Sequence, residues 1–343
     1  MSPIMTFVVP CYNSEEYMGR CVDSLLALAG TGIEIVIVND GSSDRTAQIA
    51  DEYVDKYPEI VRAVHKENGG HGSGINAGLA AATGTYFKVV DSDDWVDLDA
   101  GRRVLEYLSG LENQGQQIDL LITNFVYEKQ GKRIKRSVDY TRALPEDSIF
   151  EWSDVRKFWT WQYLLMHSMT YRTELLRSID LHVPENSFYV DNYFAFIPLP
   201  WVRKMSYLNV DLYRYFIGRE DQSVNETVMI GRIDQQININ MLMIEHLSKM
   251  RNSGTLPTSL RRYMTRYALL VTAVTSVLLV REGSRPALDK KCAVWREIER
   301  VDANLHSELR RSTVGYVASH RGWWSKKAMG AGYHASRVLV GFN

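Results

Sequence analysis

Short apolar runs alternate with amphipathic stretches along the first hundred residues. Residues 5–9, 33–38, 61–65 and 86–90 read as strands. The second is apolar and β-branched at every position but Glu34, the composition of a sheet covered on both faces. Residues 15–28 predict a helix with Tyr17, Cys21, Val22, Leu25 and Leu28 along one side. Residues 46–57 predict a second, with capping chemistry at Ser42 to Asp44 and Pro58 as its stop. A glycine-rich loop, Asn68 to Gly74, leads into a third helix over about residues 75–82. This alternation predicts a parallel α/β sheet. Residues 101–224 are less periodic and rich in aromatics, and long helical patterns follow at 230–250 and 260–280 around a turn at 252–258. The expected organisation is an α/β domain over 1–224, with halves 1–100 and 101–224, then a helical region over 225–343.

In open sheets of this kind ligands bind beyond the carboxyl ends of the strands. Those ends read Pro10-Cys11-Tyr12-Asn13, Asn39-Asp40-Gly41-Ser42-Ser43-Asp44, the glycine-rich loop, and Asp91-Ser92-Asp93-Asp94. Polar and acidic residues distant in sequence therefore gather on one edge. The paired carboxylates of Asp91 and Asp93 suit Mg²⁺ or Mn²⁺, which takes a few oxygen ligands and completes its shell with phosphates. A solvated acidic turn is the other reading of so short a motif.

Composition narrows the classes. The 343 residues carry 40 Lys+Arg against 41 Asp+Glu, a balance that speaks against nucleic acid as the main ligand. Three scattered cysteines exclude a disulfide framework and a Cys-based zinc site, and fit a reduced, cytoplasmic setting. The start of the chain lacks the basic segment of a secretory signal. The longest apolar stretch, 268–280, is interrupted by Thr272, Thr275 and Ser276 and falls short of the ~20 residues a bilayer crossing needs. The charge is nonetheless split. Residues 260–343 hold 15 basic and 6 acidic side chains, whereas the rest hold 25 and 35. Residues 309–343 contain six basic residues and no acid, among Tyr316, Trp323, Trp324, Tyr333 and Phe342. Such a segment suits peripheral contact with an anionic membrane, at the inner face of the cell membrane, or packing against the acidic part of the chain.

The ordered set Val8-Val9-Pro10-Cys11-Tyr12-Asn13, Val38-Asn39-Asp40-Gly41-Ser42-Ser43-Asp44, Glu67-Asn68-Gly69-Gly70, Asn76-Ala77-Gly78 with Ala82-Thr83-Gly84, and Val90-Asp91-Ser92-Asp93-Asp94-Trp95 resembles the family 2 glycosyltransferases of the GT-A fold. The resemblance covers about a quarter of the chain. It implies a Rossmann-like, mostly parallel sheet with flanking helices. It makes 1–100 the nucleotide-sugar-binding half and 101–224 the acceptor side. It further implies that Pro10 and Tyr12 shape a nucleoside pocket and that Asp40 bonds the base, uracil in a UDP-sugar. Asn13, Asn68, Gly69, Asn76 and Ser92 join that donor site. Asp91 lies near the ribose or sugar, and Asp93 with Asp91 holds Mn²⁺ or Mg²⁺ at the diphosphate. Many relatives carry Arg where this chain has Ile75, and His71 or the backbone N–H groups of Gly70 to Gly74 are candidates to replace it.

Inverting transfer needs a base to take the acceptor's proton. By the same resemblance that base is Asp191, in Phe188-Tyr189-Val190-Asp191-Asn192-Tyr193-Phe194, where Val190 replaces a second acid frequent in the family. A helix N-cap is the plainer reading of Asp191. Arg214 and Arg219 are candidates for phosphate contacts through their planar forks, or plain surface arginines. Trp161 and His167 are candidates for the acceptor side, with Trp159 and Tyr163 as further aromatic platforms or as core. The Gln-x-x-Arg-Trp signature of processive synthases is missing, so single addition to a glycan or lipid-linked acceptor is expected. Two other classes stay open. One is a non-catalytic sugar-nucleotide-binding protein on the same fold. The other is an NAD-dependent oxidoreductase, suggested by Gly72-Ser73-Gly74-Ile75-Asn76-Ala77 before a helix.

Overall fold

The apolar runs near the start of the chain pair in parallel, each followed by a helix. In the computed structural model, which describes residues 2–129, 135–159, 162–217 and 226–320, they are β1 (Met5–Cys11), α1 (Met18–Leu26), β2 (Ile33–Asp40), α2 (Thr46–Lys56), β3 (Val61–Lys66), α3 (His71–Ala81) and β4 (Tyr86–Val89). Met5 to Cys11 faces Ile33 to Asn39 in register, and Met5 to Val8 faces Tyr86 to Val89 on the other side. Strand ends therefore finish on one edge. Pro10 fits in the central strand because it lies past the β4 pairing, whose last ladder bond runs from Val90 N to Val8 O.

The sheet continues antiparallel. β5 (Trp95–Val96), α4 (Leu98–Asn113), β6 (Leu120–Lys129), β7 (Arg136–Val138), β8 (Ile149–Phe150), β9 (Met169–Arg172), α5 (Thr173–Ser178), α6 (Val190–Phe196) and β10 (Met205–Ile217) complete this part. The strand order is β3-β2-β1-β4-β9-β6-β10-β5, with β7 on β6 and β8 on β10. Because β5 pairs with β10 through Trp95 and Arg214, the acidic turn after β4 is folded back against Tyr213. Compact units span Met1–Phe216 and Ile217–Asn343.

The third helix opens earlier than periodicity indicates. Gly70, at φ 81°, occupies the N-cap position, and His71 is the first helical residue. Glycine is a poor helix former, yet here its lack of a side chain sets the packing. A Cβ on Gly78 would lie 2.2 Å from Val8 Cγ1, and one on Gly74 would lie 2.9 Å from Pro10 Cβ. The loop-like composition thus hides a helix seated directly on β1.

The second unit is helical: α7 (Glu226–Gly231), α8 (Ile233–Asn252), α9 (Thr258–Glu282), α10 (Arg285–Val301), α11 (Ala303–Arg311) and α12 (Thr313–Ser319). Ser284, Asp302 and Ser312 cap the last three with side-chain oxygens. Thr272, Thr275 and Ser276 do not interrupt α9, since each hydroxyl donates to a carbonyl four residues back. α9 is therefore long and apolar enough to cross a bilayer by length and composition, contrary to the count from residues 268–280 alone; 78% of its apolar window is buried. Gln236, Asn240 and Trp295 bond its hydroxyls from α8 and α10, which is the behaviour of a core helix. Trp161, Arg219 and most of the basic stretch 309–343 lie outside the described residues.

Candidate active site

Asp40 organises the glycine loop. Its buried carboxylate accepts from Gly69 N at 3.0 Å, Gly70 N at 2.7 Å and Lys66 Nζ at 2.8 Å. Asn68 Nδ2 donates to the Asp40 carbonyl at 2.9 Å. Gly41, at φ 70°, brings the two turns together, for a Cβ there would sit 2.6 Å from Asn68 N. The N–H groups of Gly69 and Gly70 are thus already taken by a carboxylate. β3 also ends at Lys66, well before α3 begins at His71, so the turn of a dinucleotide fingerprint is not formed.

The end of β1 crosses this loop. Tyr12 is 56% exposed, an open aromatic face at the strand edge. Asn13 N donates to Ser42 Oγ at 3.0 Å, and Asn13 Oδ1 accepts from Ser43 N at 2.9 Å, locking the first two strand ends together. Ser92 Oγ lies 2.8 Å from Ser14 Oγ, which ties the acidic turn to the same edge.

Within that turn the three aspartates differ. Asp91 and Asp93 are half-buried, whereas Asp94 is fully buried. Asp94 accepts from Tyr213 OH at 2.5 Å and from Phe216 N at 2.7 Å. Burial, with the neighbouring charges of Asp93 and Asp91, pushes its pKa well above the carboxylate range. The Tyr213 hydroxyl also accepts from Asp91 N at 3.1 Å, so one phenol holds both ends of the turn. Tyr213 stacks on His167, ring centres 4.7 Å apart. His167 is 5% exposed, and burial lowers its pKa to about 4. The imidazole expected on the acceptor side is therefore a buried neutral ring behind the acidic turn.

His71 and Asp191 complete the cluster. His71 Nε2 lies 2.8 Å from Asp91 Oδ1. Burial opposes protonation of His71, but the charges of Asp91, Asp191 and Asp93 outweigh it and raise its pKa. Asp91 is lowered in turn, with His71 overriding the cost of burial. Asp191 stands in the first turn of α6, while Tyr189, left-handed at φ 67°, occupies the N-cap position. Asp191 is thus not the N-cap residue, although its carboxylate accepts from the Asn192 backbone N–H in that first turn. Burial raises its pKa, and His71 and Asp91 are among the charges it feels. The sequence-predicted Pro10, Tyr12, Asn13, Asp40, Asn68, Gly69, His71, Asp91, Ser92 and Asp93 thus share one edge with Asp191.

Two predicted donor-site residues are engaged differently. Asn76 clamps a distant segment, its Nδ2 donating to Val183 O and its Oδ1 accepting from Val183 N, both at 2.8 Å. Arg214 pairs with Asp97 at 2.7 Å and Glu128 at 3.4 Å. Ile75, where relatives carry Arg, is fully buried. Sequence reasoning missed Asp94, Tyr213 and Lys88. The last is a fully buried lysine whose signal was one charge inside the apolar run Tyr86-Phe87-Lys88-Val89-Val90.

The acidic turn also fits a divalent ion by its donor set. Ligand atoms of Asp91, Asp94 and His167 lie within 4.8 Å of one another. Asp94, however, has both oxygens bonded and its charge suppressed by burial. That leaves the half-buried Asp91 and Asp93 as the oxygen ligands best suited to Mg²⁺ or Mn²⁺.

A family model described as glycosyl transferase family 2 matches residues 6–182. Among curated relatives, the uncharacterized glycosyltransferase EpsJ of Bacillus subtilis (strain 168) is 33% identical over 194 residues, 54% of this chain and 55% of the relative. The putative glycosyltransferase EpsH of the same organism is 32% identical over 226 residues, 63% and 61%. The chain therefore matches only about half to three fifths of the length of these relatives. Among solved structures, S. aureus TarS 1-349 superposes with a TM-score of 0.63 at 19% identity, over 98% of this chain and 92% of that one, and is also known in complex with UDP-GlcNAc. The mannosyltransferase PcManGT from Pyrobaculum calidifontis, in complex with GDP-Man and Mn²⁺, gives 0.53 at 16% identity, over 93% and 87%. At such identities the likeness is one of fold, and the fold is GT-A.

Proposed function

The chain belongs to glycosyl transferase family 2, and on that premise we propose that it moves one sugar from a UDP-sugar to a hydroxyl of a glycan or lipid-linked acceptor, with inversion. The exposed ring of Tyr12 is a stacking face for the base. Asp40 holds the loop that borders it. Binding of UDP-GlcNAc by a structural neighbour supports the choice of a uridine donor. Asp93 and Asp91 would hold Mn²⁺ or Mg²⁺, which when bound neutralises charge on the leaving diphosphate; an Mn²⁺ complex of another neighbour supports this.

Asp191 acts as the base, taking the proton of the acceptor hydroxyl as its oxygen bonds the anomeric carbon and the UDP oxygen leaves. Burial raises its pKa, which makes its carboxylate a stronger base than an ordinary surface carboxylate. One observation carries this reading: a strand-end acid and a helix-start acid, Asp91 and Asp191, both act on the single imidazole of His71. Screening UDP-sugars for UDP release, with Asp191→Asn as the control, tests it. Release that survives unchanged in the variant assigns the base elsewhere.

A further inference from the structure

Lys88 is the only lysine of β4 and is 0% exposed. Its Nζ donates to the carbonyls of His167 at 2.8 Å and Met169 at 3.4 Å, so its hydrogen-bond partners are backbone oxygens rather than a carboxylate. The ammonium also lies 5.3 Å from the centre of the Tyr213 ring. That ring carries the hydroxyl bonded to Asp94 and to the backbone of Asp91. A buried charge without a carboxylate partner is costly, offset here only by its carbonyl hydrogen bonds and the nearby charges. Burial lowers the pKa of Lys88 to about 7, and the charge of Asp91 works against that shift, favouring the charged lysine and being itself favoured by it.

We propose that Lys88 is a positioning residue, a buried counter-charge behind the Asp91–Asp93–Asp94 turn, whose ammonium, when protonated, offsets the carboxylates where the donor diphosphate must approach. The inference rests on the nucleotide-sugar reading of the site. Removing the ammonium leaves the turn more negative, so the two ligands of opposite charge respond in opposite directions. A residue that merely holds β4 to β9 would weaken both.

The test uses the full chain at pH 6 with Lys88→Gln, which keeps a donor for the His167 carbonyl, and Lys88→Met, which keeps length without polarity. UDP affinity is measured by calorimetry in EDTA, and Mn²⁺ affinity by electron paramagnetic resonance without nucleotide. Both variants are expected to bind UDP about fivefold more weakly and Mn²⁺ about fivefold more tightly, as for loss of one nearby screened charge. Affinities that are unchanged, or that fall together, overturn the proposal. So does failure of both variants to melt cooperatively, which would make the ammonium a folding determinant instead. Failure of the wild type to bind UDP at all would instead contradict the donor reading itself.

Discussion

His71 Nε2 lies 2.8 Å from Asp91 Oδ1, joining the first residue of α3 to the end of β4. The pair puts a basic group beside the acidic turn without the arginine that relatives carry at the position of Ile75. It also connects, through the charge of Asp191, the two acids on which the proposed chemistry depends.

This pair has a pH signature. The pKa of His71 is raised in the folded protein, so the stability it contributes is fully present below the unfolded value of about 6.5 and is lost as pH rises through the folded value. Asp91 is lowered and works the other way, contributing above its unfolded value and losing that contribution in acid. Urea melts of wild type and His71→Gln should therefore differ most near pH 6 and converge as the solution becomes alkaline. A gap independent of pH would contradict the pairing.

Asn76→Ala should lower stability by about 1–3 kcal/mol, because it removes a donor and an acceptor from the Val183 backbone. The segment it anchors leads to Asp191, so hydrogen exchange near residues 183–191 should quicken in the same variant. Unchanged stability, read from urea midpoints, would mean that water replaces the clamp.

Gly78→Ala is expected to be more damaging than an ordinary helix-surface substitution, although alanine favours helix. The new Cβ would meet Val8 Cγ1 at 2.2 Å in the central strand, and overpacking costs about 1–3 kcal/mol. Gly110, with nothing within 4 Å of its Cβ position, is the internal control, and Gly110→Ala should stabilise slightly. Equal melting temperatures for the two variants would refute the packing argument.

Arg214→Ala should cost about 1–2 kcal/mol, discounted because Asp97 is partly exposed. Burial opposes ionisation of Asp97, but the Ala100 N–H and the Arg214 guanidinium lower its pKa. Its contribution holds above about pH 4 and vanishes as pH falls through the folded value. The difference from wild type should therefore close in acid. A larger effect on UDP affinity than on stability would return Arg214 to the diphosphate.

The parallel half of the sheet was readable because its strands are β-branched runs and their polar ends sit in register, as Cys11 against Asn39 and Asp40 against Lys66 show. The start of α3 was not, since His71 to Gly74 has loop composition and its helix is secured by contacts with Pro10 and Val8 that lie far along the chain. Lys88, Asp94 and Tyr213 escaped for a related reason. Their meaning is tertiary: Tyr213 and Asp94 are 119 positions apart, and a lysine in an apolar strand reveals nothing until its carbonyl partners are known. His167 shows the converse, a residue chosen for its chemistry that folding encloses between aromatic rings.

The proposed transfer turns on Asp191 as the base acting with a UDP-sugar donor. Turnover of the UDP-sugar selected by the donor screen, followed as UDP release beside calorimetric UDP affinity, is the direct measurement for Asp191→Asn. A fall in kcat of about 10²- to 10⁴-fold with UDP affinity within twofold of wild type is the predicted result. In the wild type, kcat should also decline in acid as pH drops through the raised pKa of Asp191. Undiminished turnover in the variant, or loss of UDP binding together with kcat, would contradict it.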